Sequence, residues 1–180
     1  MSNQILARQW RDLVLRPVLA QLGRRYDSPS SIALMSMIAA HESGSFNYIR
    51  QVAGWNRGPV YGPARGFLQM EPATEDDTWR YLWDRQPDLA RSVRRFRSPA
   101  GTGDNSDLIW NLAYQVAIGR AKLWMVPAKL PDPRDLEGLG RYAKDHWNTS
   151  AGSATAAKYI HDYRNSFPPS QWDFIPVEAT

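Results

Sequence analysis

The chain has no cysteine. That absence excludes disulfides, a thiolate nucleophile and any Cys-based metal site. Histidine is scarce too: only His41, His146 and His161 occur. They form no H-x-x-x-H pair, so neither a zinc site nor any other metal or cofactor site is expected. No segment approaches the ~20 apolar residues needed to cross a bilayer, so no membrane span is expected. The first residues, 1–23, lack a continuous apolar core because Arg8, Arg11 and Arg16 interrupt every run. That pattern does not match a secretory leader. The expectation is synthesis in a cytoplasm, with delivery by other means if the protein acts outside it.

What is present reads as one globular domain. Its 180 residues are 43% hydrophobic and 22% charged, with eight Trp and eight Tyr. Aromatic rings fill cores, and their flat faces also line sugar-binding clefts. The formal charge of +4 and pI near 9.5 favour polyanionic partners, bacterial cell walls among them. The arginine run Arg91, Arg94, Arg95 and Arg97 reads as a solvated face. No recognition-helix motif accompanies it, so nucleic acid is not an expected partner.

The apolar spacing is helical nearly throughout, and the expected class is all-α, with room for one small hairpin. Leu6, Trp10, Leu13, Val14, Val18 and Leu22 fall on one helical face, closed by Gly23. Ser28-Pro29 is a helix start, and the residues from Ile32 to Ala40 are apolar nearly all round, which predicts a buried central helix. A long Gly- and Pro-rich stretch follows, from Ser45 to Pro72, in which Val60-Tyr61 and Phe67-Leu68 are candidate hairpin strands. Thr74 with Asp77 resembles a capping box. Further helices are expected over Asp88–Phe96, Asp107–Met125, Asp135–His146 and Ala154–Arg164. The domain is expected to occupy residues 1–164, with 165–180 as an extended tail. Trp172-Asp173-Phe174 in that tail would suit docking on a phage virion protein.

Three segments carry candidate chemistry. Glu42 closes the apolar run and would be poorly solvated there, which favours the neutral acid and suits a proton donor. Gln69 sits within Gly66-Phe67-Leu68-Gln69-Met70 and offers an amide donor and acceptor for a sugar hydroxyl or acetamide. Gly140-Arg141-Tyr142-Ala143, running on to Trp147-Asn148, supplies a hydroxyl that could hold a carboxyl.

Together these segments resemble the soluble lytic transglycosylases, whose lysozyme-like helical fold is shared by goose-type lysozymes. The likeness rests on Glu42-Ser43, on Ala64 to Met70 with Pro72 and Thr74, and on a degenerate third motif; it spans Ile32 to Arg164. It implies cleavage of peptidoglycan by Glu42 as single acid/base, with Ser43 positioning that group or the substrate acetamide and Gln69 lining the cleft. Tyr142 is the first choice for the third motif and Asn148 the second. His146 shares a face with Tyr142 by its i, i+4 spacing.

The chain departs from the family in two further ways. The stretch between Glu42 and Gln69, holding Trp55, Gly58, Tyr61 and Gly62, is longer and would form a cleft lip or lid. Glu71 replaces an apolar residue and could serve as a second carboxylate in a hydrolytic lysozyme mechanism; Asp76 and Asp77 are weaker candidates. The expected role is that of a phage endolysin or virion-associated wall hydrolase, acting after holin release or delivery in a particle. The alternative is a structural virion module that keeps the fold.

Overall fold

The computed structural model describes residues 3–54, 58–99, 106–148 and 154–171. The architecture is mostly helical with one two-stranded antiparallel hairpin. Trp55, Gly152 and Trp172 to Phe174 lie outside the described residues.

The first helical segment runs as α1 (Gln4–Trp10), a π-helical turn (Arg11–Leu15) and α2 (Arg16–Leu22). Gly23 ends it at φ 111°, a conformation open to glycine. The π-turn overturns one expectation. A wide turn rotates the face that follows it, so Leu13 is 72% exposed while Leu15 is fully buried in its place. The same turn buries Arg11, whose guanidinium pairs with Asp12 at 2.7 Å and stacks over Phe167.

The central helix α3 (Pro29–Glu42) forms as its sequence predicts. Ser28 accepts from the Ser31 N–H, and Pro29 occupies the first turn, where its missing N–H costs nothing. Every residue from Ser31 to Ala40 is buried. Around this helix pack α8 (Leu136–His146) and α9 (Ala156–Ser166), with Asp135 and Thr155 as their capping residues. Helix α9 runs to Ser166 and Phe167 is fully buried, so the core extends past residue 164.

The remaining helices are α4 (Pro72–Arg85), α5 (Pro87–Arg94), the one-turn α6 (Asp107–Trp110) and α7 (Leu112–Trp124). Asn111 splits the segment expected as one helix, because its side chain accepts from the Tyr114 N–H and so caps α7. Helix α4 starts at Pro72 rather than after Thr74, whose carbonyl instead accepts from the Thr78 hydroxyl. Along α5, Arg91 and Arg94 are exposed and Arg95 follows them, as a solvated face requires. Arg97 instead turns inward to pair with buried Glu75 at 3.6 Å.

The hairpin joins β1 (Arg50–Gly54) to β2 (Val60–Arg65), so Val60 and Tyr61 are in a strand as expected but Phe67 and Leu68 are not. Those two side chains are buried in the turn that follows. Both faces of this short hairpin are largely open to solvent, and two large apolar residues gain more by reaching the core. Phe67 packs at 5.1 Å from Phe46 and 6.4 Å from Trp10.

Candidate active site

The apolar run of α3 ends on Glu42, and the chain then turns sharply. Ser43 is fully buried; its hydroxyl donates to the Ala39 carbonyl at 2.6 Å and accepts from the Phe46 N–H at 2.8 Å. Gly44, Ser45 and Phe46 follow at φ 58°, 61° and 62°. Two successive non-glycine residues in the left-handed region store strain that surrounding structure must offset. Here the offset is Phe46, buried against Trp10, Phe67 and Phe167. The turn therefore fixes where the Glu42 carboxyl emerges. Ser43 serves this turn and does not line the cleft, so the expected contact with a substrate acetamide is not available to it.

Glu42 opens into a cleft of about 520 Å3. Burial raises its pKa above the usual carboxylate range. Three effects oppose this without reversing it: a hydrogen bond from Tyr159 and the charges of His41 and Lys122. The Tyr159 hydroxyl donates to Glu42 Oε1 at 2.6 Å from the neighbouring helix α9. Tyr159 is fully buried, and burial with the adjacent carboxylate pushes its own pKa up. One turn further along α9, Asp162 meets His41 Nδ1 at 2.7 Å, and the His41 ring lies 4.0 Å from that of Tyr159. Two adjacent residues of α3 are thus held by two residues of α9.

The opposite wall comes from α7 and the end of α8. Lys122 donates to the Trp147 carbonyl at 3.0 Å, with its ammonium 3.9 Å from the Trp147 ring centroid. Burial depresses its pKa to about 8, against the pull of Glu42 and Glu71. The Trp147 indole N–H donates to the Leu68 carbonyl at 3.1 Å. Leu68 in turn sits over Gly119, where an added Cβ would come within 2.5 Å of the Leu68 Cδ1. Glycine at this position lets the Gln69 turn lie directly on α7.

That turn is closed by two backbone hydrogen bonds between Arg65 and Met70, both 3.0 Å. Gly66 adopts φ 75°, and a side chain there would collide with Gln115 and the Leu108 carbonyl. Gln69 takes φ 47° and lines the cleft, with its amide nitrogen donating to the Gly66 carbonyl at 2.5 Å. The hairpin supplies another wall through Gln51 and Ala64.

Of the residues expected from sequence, Glu42, Gln69, Glu71 and Asn148 share this cleft. Tyr142 does not. Its hydroxyl donates to the Ala128 carbonyl at 3.3 Å, and its ring lines a second cavity. Tyr142 and His146 do pair, ring centroids 4.4 Å apart, but away from Glu42. The i, i+4 spacing identified a shared face without saying where it points. Asp76 and Asp77 also lie elsewhere: Asp76 borders a separate surface recess beside Trp79 and Trp83, and Asp77 pairs with Arg80. Sequence reasoning missed Tyr159, Lys122 and the His41–Asp162 pair, and named Trp147 only within the third motif beside Asn148. The one available signal was a Tyr and an Asp a single turn apart on the inner side of the last helix.

Among the described residues no group of three His, Asp or Glu side chains is placed to hold a metal ion. No protein-family model matches the chain, and comparisons with curated proteins and with solved structures find no match.

Proposed function

We propose that the protein cleaves the glycan strands of bacterial peptidoglycan with Glu42 as its single acid/base. The reaction would be a lytic transglycosylase-type cut of the MurNAc-GlcNAc β-1,4 bond on a lysozyme-like helical scaffold. One observation carries the reading: a carboxyl whose pKa burial raises, held by Tyr159 at 2.6 Å, at the edge of an open cleft. Such a group can act as a general acid without an external partner. Gln51, Gln69 and Asn148 line the same cleft and supply the amides that sugar hydroxyls and acetamides pair with.

In this mechanism Glu42 protonates the glycosidic oxygen as the bond to the anomeric carbon breaks. The substrate's acetamide carbonyl bonds to that carbon and carries the positive charge. The Glu42 carboxylate then removes the proton of the 6-hydroxyl. The freed oxygen displaces the acetamide, giving a 1,6-anhydro product and restoring the acid. Substrate assistance of this kind replaces the second carboxylate of the general scheme.

Hydrolysis is the second reading, and the presence of Glu71 in the same cleft favours it. There Glu71 would activate a water. Its place in this proposal is that of a phage endolysin or virion-associated hydrolase.

Mass spectrometry of purified peptidoglycan digested by wild type and by Glu42→Gln tests both readings. Muropeptides one water lighter than hydrolytic products, absent with the variant, are expected. Reducing muramic ends would move the assignment to a lysozyme. Intact glycan after treatment with folded wild type would overturn the enzyme reading in favour of a structural module.

A further inference from the structure

A second cavity, of about 600 Å3, opens beside the N-terminus of α3 and is bounded by α7, the segment following it, and α8. Its charged lining is entirely basic: Arg25, Arg120 and Lys129, with no Asp or Glu. Arg25 and Lys129 are exposed at the rim, but Arg120 is only 3% exposed. The Arg120 Nε donates to the Tyr26 carbonyl at 3.2 Å, and its guanidinium lies 5.8 Å from the Tyr26 ring and 5.4 Å from the Trp124 ring. Among the described residues no carboxylate pairs with it.

A buried cation without a counter-ion is costly. Burial accordingly depresses the Arg120 pKa, yet a guanidinium does not deprotonate in water at physiological pH. Two further features raise the positive potential. Ser28, the cap of α3, and Ser30 in its first turn both border the cavity, so the positive end of a 14-residue helix faces it. Leu123, Trp124, Val126 and Leu130 make the rest of the wall apolar.

We propose that this cavity is a ligand site, distinct from the Glu42 cleft, for a small organic oxyanion carrying an apolar arm. The carboxylate or phosphate takes the open guanidinium N–H groups of Arg120 and the charges of Arg25 and Lys129. The arm packs on Trp124 and the aliphatic wall. The site stands apart from the catalytic reading, because no residue lining it lines the cleft.

Nitrogen-15 NMR titration of the full chain, following the Trp124 indole and Arg120 Nε signals, tests the site. The probes are phenyl phosphate, phenylacetate, inorganic phosphate and benzyl alcohol. At least one of the two aromatic anions is expected to shift both signals saturably, and which one does so separates a phosphate from a carboxylate source. Inorganic phosphate should bind more weakly and benzyl alcohol should not bind. Arg120→Gln should weaken binding about tenfold or more, as losing a charged hydrogen bond does. Should Arg120→Gln fail to fold, Arg25→Ala combined with Lys129→Ala decides the matter. Both residues are exposed, and removing two rim charges should weaken binding by about a few-fold. No saturable shift with either aromatic anion overturns the site. So does equal binding of benzyl alcohol or of inorganic phosphate, or unchanged affinity in the folded variants.

Discussion

The Tyr159 hydroxyl donates to Glu42 Oε1 at 2.6 Å, joining residues 117 positions apart. This bond orients one carboxyl oxygen of a residue that lines the cleft. It also opposes the burial that raises the Glu42 pKa. Tyr159 is a positioning residue, since it acts through Glu42.

Tyr159→Phe is therefore expected to lower the glycan-cleavage rate by roughly 10- to 100-fold, the scale of losing orientation near a reacting group. Its alkaline limb should move to higher pH, because a bond favouring the charged carboxylate is gone. Measuring the pH–rate profile separates this role from simple packing, which would lower the rate without moving the limb.

Lys122 supplies a second handle on the same proton. Its charge lowers the Glu42 pKa, and its own pKa sits at about 8. Below that value Lys122 is cationic; above it the charge is lost. With Glu42 as the acid, activity falls as pH rises through the Glu42 pKa. Lys122→Met removes the cation, so Glu42 should hold its proton to higher pH and the alkaline limb should shift upward. A downward shift would sink the electrostatic assignment.

Glu71 is exposed at the cleft, and its role is read from products rather than rates alone. If one carboxylate suffices, Glu71→Gln retains cleavage within about a few-fold and leaves the anhydro products unchanged. A loss of about 100-fold or more would place it in the chemistry as a general base.

The buried cluster between α4 and α7 makes a stability prediction. Glu75 is fully buried, accepts from the Tyr114 hydroxyl and faces Arg97; the Trp79 indole N–H donates to the same hydroxyl at 2.8 Å. Tyr114→Phe deprives both a buried carboxylate and a partly buried indole of that partner. It should destabilise the fold by about 1 to 3 kcal/mol in urea denaturation, with little effect on the Glu42 cleft.

Much of this was legible from sequence where the causes are local. The Ser28-Pro29 start, the Gly23 stop and the buried run into Glu42 each follow from neighbouring residues. Where the cause is distant, sequence reading went astray. Leu13 left the core because a π-turn interrupted the helical period. Phe67 and Leu68 abandoned the hairpin for aromatic partners on other elements. Tyr142 and Tyr159 both occupy inner helix faces, and only the packing of α8 and α9 on α3 decides which phenol reaches Glu42. Of the cleft residues expected from sequence, Glu42 was marked by its own helix, and Gln69, Glu71 and Asn148 by the motifs around them; Tyr159 and Lys122 lie far from it in the chain, where no neighbouring residue points to Glu42.

Gly119 bears on how the cleft tolerates change. The Gln69 turn rests on α7 through Leu68, and the Leu68 carbonyl carries the Trp147 indole. Position 119 thus works as a shim of zero thickness beneath one cleft wall. A single methyl there would have to push aside the side chain of Leu68, the residue whose carbonyl holds Trp147, without touching any group that meets substrate. Variation in cleft width can therefore arise from a residue that no comparison of cleft-lining side chains would include.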